Sequence, residues 1–365
     1  MKHIAFIYPY LTSYIFPVIR KIAESDRVKF DVIFGPLPAG EGFENYVLFD
    51  HPNVSWIQLK EKQPFGNRFG MFQSGILRYL IKKRHDSIVI WSNPRYLSFW
   101  VVLIFGYLFG TPVYARGHGL FKKERINLFY NVMYKLLLAL VNRYICYTPQ
   151  VKSSLLTLVK REDKLVVDNN TLYNEYPVLP KEKTGEERGI FYIGRVRPGC
   201  GVDTLIQAVN RINQEVGIGV ELHIIGDGPL GEFVRQQAYE FSWIKYYGKL
   251  FDEKRISDIS RKCRFGCVPG FMGLNVVHMM SLSLPVVTHG DLKKHLGPEP
   301  EYIKHGKNGW LIDKPNDVVE LTDALRLIRG ISTADMNAMQ FNAFQKYFWL
   351  SNPPFHERLM QIWGV

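Results

Sequence analysis

Short apolar runs separated by longer stretches with apolar residues three and four positions apart mark the first half of the chain. IAFIY (Ile4 to Tyr8), VKFDVIF (Val28 to Phe34), VSWIQL (Val54 to Leu59), SIVIW (Ser87 to Trp91), PVYA (Pro112 to Ala115) and RYICYT (Arg143 to Thr148) read as strands, while Thr12 to Ala23 carries helical spacing. Near-continuous apolar strands alternating with helices predict a parallel sheet covered on both faces. The periodicity lapses over Tyr176 to Arg188 (YPVLPKEKTGEER), which reads as a linker with nothing to bury. It resumes with strands at GIFYIG (Gly189 to Gly194), VELHIIG (Val220 to Gly226), WIKYYG (Trp243 to Gly248), FGCVPG (Phe265 to Gly270) and PVVT (Pro285 to Thr288). Helices are expected over Gly201 to Glu215, after Pro229, over Asp252 to Arg261 and from Gly273 to Ser283. Beyond Leu311 the pattern is mostly helical, and Pro353 and Pro354 set apart a final helix, Phe355 to Trp363. The expected fold is α/β: two Rossmann-like doubly wound domains, 1–180 and 181–345, facing a cleft, with 346–365 packing back towards the first domain. Ligands of open parallel sheets bind beyond the carboxyl ends of the strands, so the chemistry is expected there.

Composition narrows the class. With 47% hydrophobic and 22% charged residues, the 365-residue chain can bury proper cores and is not a disordered protein. Four cysteines make no disulfide framework, and Cys263 with Cys267 lacks a second pair at zinc-finger spacing, which suits a reducing cytoplasm. Polar Thr12, Ser13 and Tyr14 interrupt the run an export signal would need. Tyr96 to Phe109 is too short to span a bilayer and reads as a buried helix. A net charge of +12 favours polyanions, whether nucleic acid, anionic lipid headgroups or phosphorylated small molecules.

Three strand ends carry candidate chemistry. In PGFMGLNVVHMM, Gly273 lets an anion approach the backbone amides of Leu274, Asn275 and Val276 at the start of a helix. In GRVRPGCG, Gly194 and Arg195 follow the first strand of the second half, where a guanidinium can grip a diphosphate bidentately. HIIGDGP ends a strand in a turn of Gly226, Asp227, Gly228 and Pro229 that leaves amides exposed. In the first half, YARGHG sets Arg116 and His118 just beyond a strand, and imidazole suits proton handling near neutral pH. Basic and aromatic residues interleave over Phe65 to His85 and Phe121 to Leu140, as on proteins that dock to an anionic membrane.

These elements in this order, with EYIKHGKNGWLI (Glu301 to Ile312) and VDNNTLYNE (Val167 to Glu175), resemble family 4 glycosyltransferases of the GT-B fold over nearly the whole chain. The resemblance implies transfer of a sugar from a UDP- or GDP-linked donor to a glycan acceptor, lipid-linked, in bacterial surface polysaccharide or lipopolysaccharide synthesis. It further implies a retaining, metal-independent reaction on the cytoplasmic face of the membrane, with no cofactor beyond the donor. Arg195 would bind the donor diphosphate and, with His118 near the reacting sugar, act catalytically. Gly194 and Gly226 to Pro229 would line the nucleotide, and Gly273 to Val276 would meet the distal phosphate. Three places depart from the family. Cys200 stands for its lysine, and Gly270 and His278 stand for its two glutamates. His278 is a candidate for the ribose or phosphate, and Arg197, Lys293 and Lys294 are candidates to replace the lysine. A catalytically silent glycan- or protein-binding relative is the competing reading. No nucleic-acid motif is present, and no G-x-G-x-x-G follows either first strand.

Overall fold

The apolar runs fold as parallel strands in a computed structural model that describes all residues except 38–47, 64–69, 122–127, 185–186 and 218. The chain divides into two units, Met1–Asn170 with Pro353–Val365, and Thr171–Asn352. The first contains β1 (Lys2–Tyr8), α1 (Phe16–Ala23), β2 (Val28–Phe34), β3 (Val54–Gln58), a small antiparallel pair β4 (Glu61–Lys62) and β5 (Phe72–Gln73), α2 (Ile76–Lys82), β6 (Ser87–Trp91), α3 (Leu97–Phe109), β7 (Val113–Gly117), α4 (Leu128–Leu140), β8 (Arg143–Cys146), α5 (Pro149–Leu156) and β9 (Leu165–Val167). Its main sheet has the order β3-β2-β1-β6-β7-β8-β9, all parallel. Ala5, Ile7, Ile33, Ile88 and Ile90 face the core shared with α2, α3 and α4.

The second unit runs β10 (Gly189–Ile193), α6 (Val202–Val216), β11 (Leu222–Ile225), α7 (Gly231–Glu240), β12 (Ile244–Gly248), α8 (Glu253–Ser260), β13 (Cys263–Cys267), α9 (Asn275–Ser281), β14 (Val286–His289), β15 (Gly309–Ile312), α10 (Val318–Gly330) and α11 (Thr333–Ser351). Its parallel sheet is ordered β12-β11-β10-β13-β14-β15. Both sheets therefore reverse direction of strand addition once, between β1 and β6 and between β10 and β13, as doubly wound folds do.

The last helix, α12 (Phe355–Ile362), belongs to the first unit. Trp363 is buried edge-on against Phe6 and Phe30, 6.2 and 6.1 Å between ring centroids, which closes the sheet face opposite α2 to α4. Arg358 reaches the buried Asp168 at 2.8 Å. The units part at 170/171 and 352/353, whereas the sequence pattern suggested 180/181 and 345/346.

Two expectations are corrected. The stretch Tyr176 to Arg188 is no free linker: Val178 is fully buried, and the Lys183 ammonium donates to the carbonyls of Ser260 and Cys263 at 2.7 and 3.0 Å. A lysine whose stem crosses apolar surface to reach two carbonyls carries no periodicity, so pattern alone misses it. The second correction concerns α3, which is not buried throughout. It buries Phe99, Val102, Leu103 and Phe105, but Ile104, Tyr107, Leu108 and Phe109 are 48–70% exposed. Uniform hydrophobicity removes the contrast that would have shown which side faces out. The strands β9 and β15 were also not read as such; each is short and adds at a sheet edge. All four cysteines are buried free thiols.

Candidate functional site

Three loops meet where the second sheet reverses. The chain leaves β10 at Gly194, β11 at Gly226 and β13 towards Gly270, and backbone hydrogen bonds join them: Gly194 N–H to the Ile225 carbonyl (3.0 Å), Val196 N–H to that of Asp227 (3.1 Å), and Phe271 N–H to that of Gly199 (3.0 Å). This closeness explains the glycines. A Cβ on Gly226, whose φ is +128°, would stand 1.9 Å from the Gly194 carbonyl oxygen, and one on Gly228 would stand 2.7 Å from that of Val196. Asn275 ties the outer loop to the first strand, because its Nδ2 donates to the Ile193 carbonyl at 3.0 Å while its Oδ1 accepts from Gly273 N–H at 2.9 Å. Gly194, Arg195, Gly226 to Gly228 and Gly273 to Asn275 thus share one rim of the sheet.

Each predicted residue has a definite local role. Arg195 is half-buried, and its carbonyl is held by the Tyr192 hydroxyl at 3.1 Å. Asp227 closes its own turn, accepting from Gly228 N–H at 2.8 Å and from the Tyr246 hydroxyl at 3.0 Å. Pro229 is exposed. Leu274 is half-buried and Val276 fully buried, with the Val276 amide already donating to the Gly273 carbonyl. His278 points to Glu253 on α8, Nε2 to Oε2 at 2.9 Å. Lys293 and Lys294 lie in a short helical turn after β14, and Lys294 pairs with Asp291 at 3.4 Å.

In the first unit, Arg116 on β7 is buried, donating to Asn170 Oδ1 at 2.6 Å, with its guanidinium 4.2 Å from the Tyr147 ring and 4.9 Å from the Phe355 ring. Burial works against its charge, yet Tyr147, Tyr8 and Asp168 outweigh this and hold it protonated. Burial raises the carboxyl of Asp168, which Arg358 and Arg116 counter. His118, one residue past β7, is half-buried edge-on against Tyr147 at 4.7 Å. Of the basic and aromatic segments, Phe65 to Phe69 and Lys122 to Asn127 lie outside the described residues.

Residues 187–329, which hold the whole three-loop rim, match the family model described as "Glycosyl transferases group 1". Over those residues the second unit resembles group 1 glycosyltransferases. Solved structures agree on the fold. Anabaena Alr3699/HepE in complex with UDP is 14% identical, with a TM-score of 0.67 and 100% of each chain covered; the same protein has been solved with UDP-glucose. The lipopolysaccharide outer core galactosyltransferase WaaB is 15% identical over 95% of this chain and 99% of its own, with a TM-score of 0.61. TarM of S. aureus is 13% identical, with 100% and 98% covered and a TM-score of 0.64. At such identities the likeness shows the GT-B fold alone. A search of curated protein sequences finds no significant relative.

The packing of the second unit accounts for its departures from the family pattern. A Cβ on Gly270 would stand 2.1 Å from the Gly199 carbonyl oxygen, so the loop that bears Cys200 closes the space a side chain at 270 would need. At 278, a carboxylate would confront Glu253, whereas histidine pairs with it. Cys200 is buried, and its carbonyl accepts from Gly270 N–H at 3.3 Å. Two buried residues that sequence reasoning passed over shape the same rim. His295 accepts from Met272 N–H at Nδ1 (3.2 Å), and its Nε2 faces the His289 carbonyl (3.0 Å), which fixes the neutral tautomer protonated at Nε2 and the backbone leading into Gly273. Glu299 is 2% exposed, with Oε2 about 3.9 Å from where a Cβ on Gly273 would stand. Only its burial distinguishes it from a surface glutamate, and burial is not written in the local sequence.

Proposed function

We propose that the chain moves a sugar from a UDP-linked donor to a lipid-carried glycan at an anionic membrane surface, with retention of anomeric configuration. The observation that carries this is the convergence of three glycine turns and Arg195 where the second sheet reverses, joined through Asn275. The donor base is taken from HepE, solved with UDP and with UDP-glucose. Arg195 supplies fixed positive charge to the leaving diphosphate, the work a divalent ion does in other transferases, and close backbone amides add dipoles to the same end. Close approach of the nucleotide needs the bare Gly194, Gly226 and Gly228 backbone, and the Asp227 turn keeps that backbone in place. His118 orients the acceptor hydroxyl.

The lipid is supported by helices of the first unit. Ile104, Tyr107, Leu108 and Phe109 on α3, Leu128, Phe129, Val132 and Leu136 on α4, and Ile81 on α2 are exposed apolar side chains on neighbouring helices. Lys82 and Arg84 lie at the end of α2 beside them, the pairing of insertion with charge that anionic lipid selects. No helix among the described residues is long and apolar enough to cross a membrane. The test is thermal: UDP raises Tm, GDP raises it less, and Arg195→Ala removes the shift. Turnover of a UDP-sugar panel on lipid-linked glycans that persists in EDTA supports the full reading, whereas an unchanged Tm with every nucleotide refutes it. Sedimentation with phosphatidylglycerol vesicles but not phosphatidylcholine vesicles tests the membrane face.

A further inference from the structure

The amino-terminal edge of the first sheet, opposite the loops that follow its strands, holds a side-chain cluster with no part in sugar transfer. Asp31 on β2 is fully buried. Its Oδ2 accepts from the Tyr79 hydroxyl at 2.8 Å and faces His85 Nε2 at 2.9 Å and His3 Nε2 at 3.1 Å. His3 Nε2 is itself buried and makes no aligned hydrogen bond to that oxygen. Two imidazoles, 4.5 Å apart between ring centroids, therefore turn the same nitrogen towards one carboxylate oxygen. All three ligand atoms lie within 4.8 Å of one another. Lys83 approaches from the solvent side at 3.3 Å, its side chain 47% exposed.

We propose that His3, His85 and Asp31 form a zinc site that clamps β1, β2 and the segment entering β6. Two neutral imidazoles and one carboxylate are a donor set that borderline divalent ions prefer over Mg2+ or Ca2+. Tetrahedral zinc with bonds of about 2.0–2.1 Å sets its ligand atoms about 3.4 Å apart, so each imidazole nitrogen, at 3.1 and 2.9 Å from Asp31 Oδ2, needs to draw back from that oxygen by only a few tenths of an ångström. Tyr79 becomes the outer partner that orients the carboxylate. The Lys83 ammonium competes for the same oxygen, and its exposed stem lets it swing into water when the ion binds. A fourth position is left to solvent. The ion is structural, since the cluster lies at the opposite edge of the sheet from the strand ends. The proposal is independent of the donor and acceptor reading.

The untagged full-length chain, freed of metal by chelation, is titrated with Co2+ and with Zn2+. One equivalent of Co2+ should give the visible absorption of a four-coordinate site, and Zn2+ should raise Tm. His85→Ala and His3→Ala should each weaken Zn2+ by more than the roughly 10–100-fold that losing an outer partner costs. Lys83→Met should tighten it. The half-exposed positions of His3 and Lys83 keep those variants folded, and a far-ultraviolet circular dichroism spectrum matching that of the unsubstituted chain confirms this. Failure of saturating Zn2+ to move Tm, binding that survives both histidine substitutions, or weaker binding in Lys83→Met would each overturn the assignment.

Discussion

Replacing Asn275 tests whether the three-loop rim is a nucleotide site. Asn275→Ala removes two hydrogen bonds, Nδ2 to the Ile193 carbonyl and Gly273 N–H to Oδ1, at 3.0 and 2.9 Å. Both partners are half-buried, so water replaces part of what is lost; at about 1 kcal/mol per bond the second unit loses about 2 kcal/mol. For a unit of this size that is a fall in Tm of about 4–8 °C. Asn275→Asp separates stability from binding. It keeps the Gly273 contact but turns an oxygen towards the Ile193 carbonyl and adds a negative charge beside the proposed diphosphate loop. UDP affinity should then fall further in the aspartate than in the alanine variant, although the aspartate keeps one of the two hydrogen bonds. Calorimetric titration of UDP into wild type and both variants reads this directly. Equal affinity in wild type and Asn275→Asp would place the diphosphate away from Gly273 and remove the basis of the donor assignment.

Restoring a glutamate by Gly270→Glu should lower stability rather than improve activity, since its Cβ meets the Gly199 carbonyl oxygen at 2.1 Å; a more stable or faster variant in denaturation and turnover assays would refute that packing. Arg358→Met removes the hydrogen-bonded partner of the Asp168 carboxylate, 1% exposed, and leaves Arg116 as its compensating charge, so it should cost the first unit about 3 kcal/mol in urea unfolding, whereas Arg161→Ala, which breaks an exposed pair with Asp163, should leave the midpoint unchanged. Burial holds His289 down at about 4, against an ordinary value near 6.5, so the unfolded chain takes up a proton that the folded chain refuses. The stability it contributes is therefore complete above about pH 6.5 and is lost as pH falls towards 4, by up to about 3 kcal/mol. His289→Phe, which keeps the 3.8 Å stack on His295, should flatten the acid limb of a urea midpoint series; an unchanged slope would show that His289 does not set it.

Much of this was written in local pattern. The strands of both sheets could be read because a strand buried on both faces must be apolar along its whole length, as in Ile4 to Ile7 and Ile190 to Ile193. The glycines at 226 and 228 were legible as a turn, since backbones that approach within hydrogen-bond reach exclude a Cβ. Contacts across long stretches of chain were not. Trp363 reaches Phe6, His278 reaches Glu253, and His295 reaches Met272, and each depends on which distant element the fold brings beside it.

Periodicity and glycine placement determined the two parallel sheets and the glycine turns at their strand ends, because both follow from sterics between near neighbours. The tertiary structure alone decided that Gly270 has no room for a side chain, that Tyr176 to Arg188 is anchored by Lys183, and that His3, Asp31 and His85 converge. Burial and partnership belong to pairs of positions far apart in the chain, and no local window of sequence contains both members.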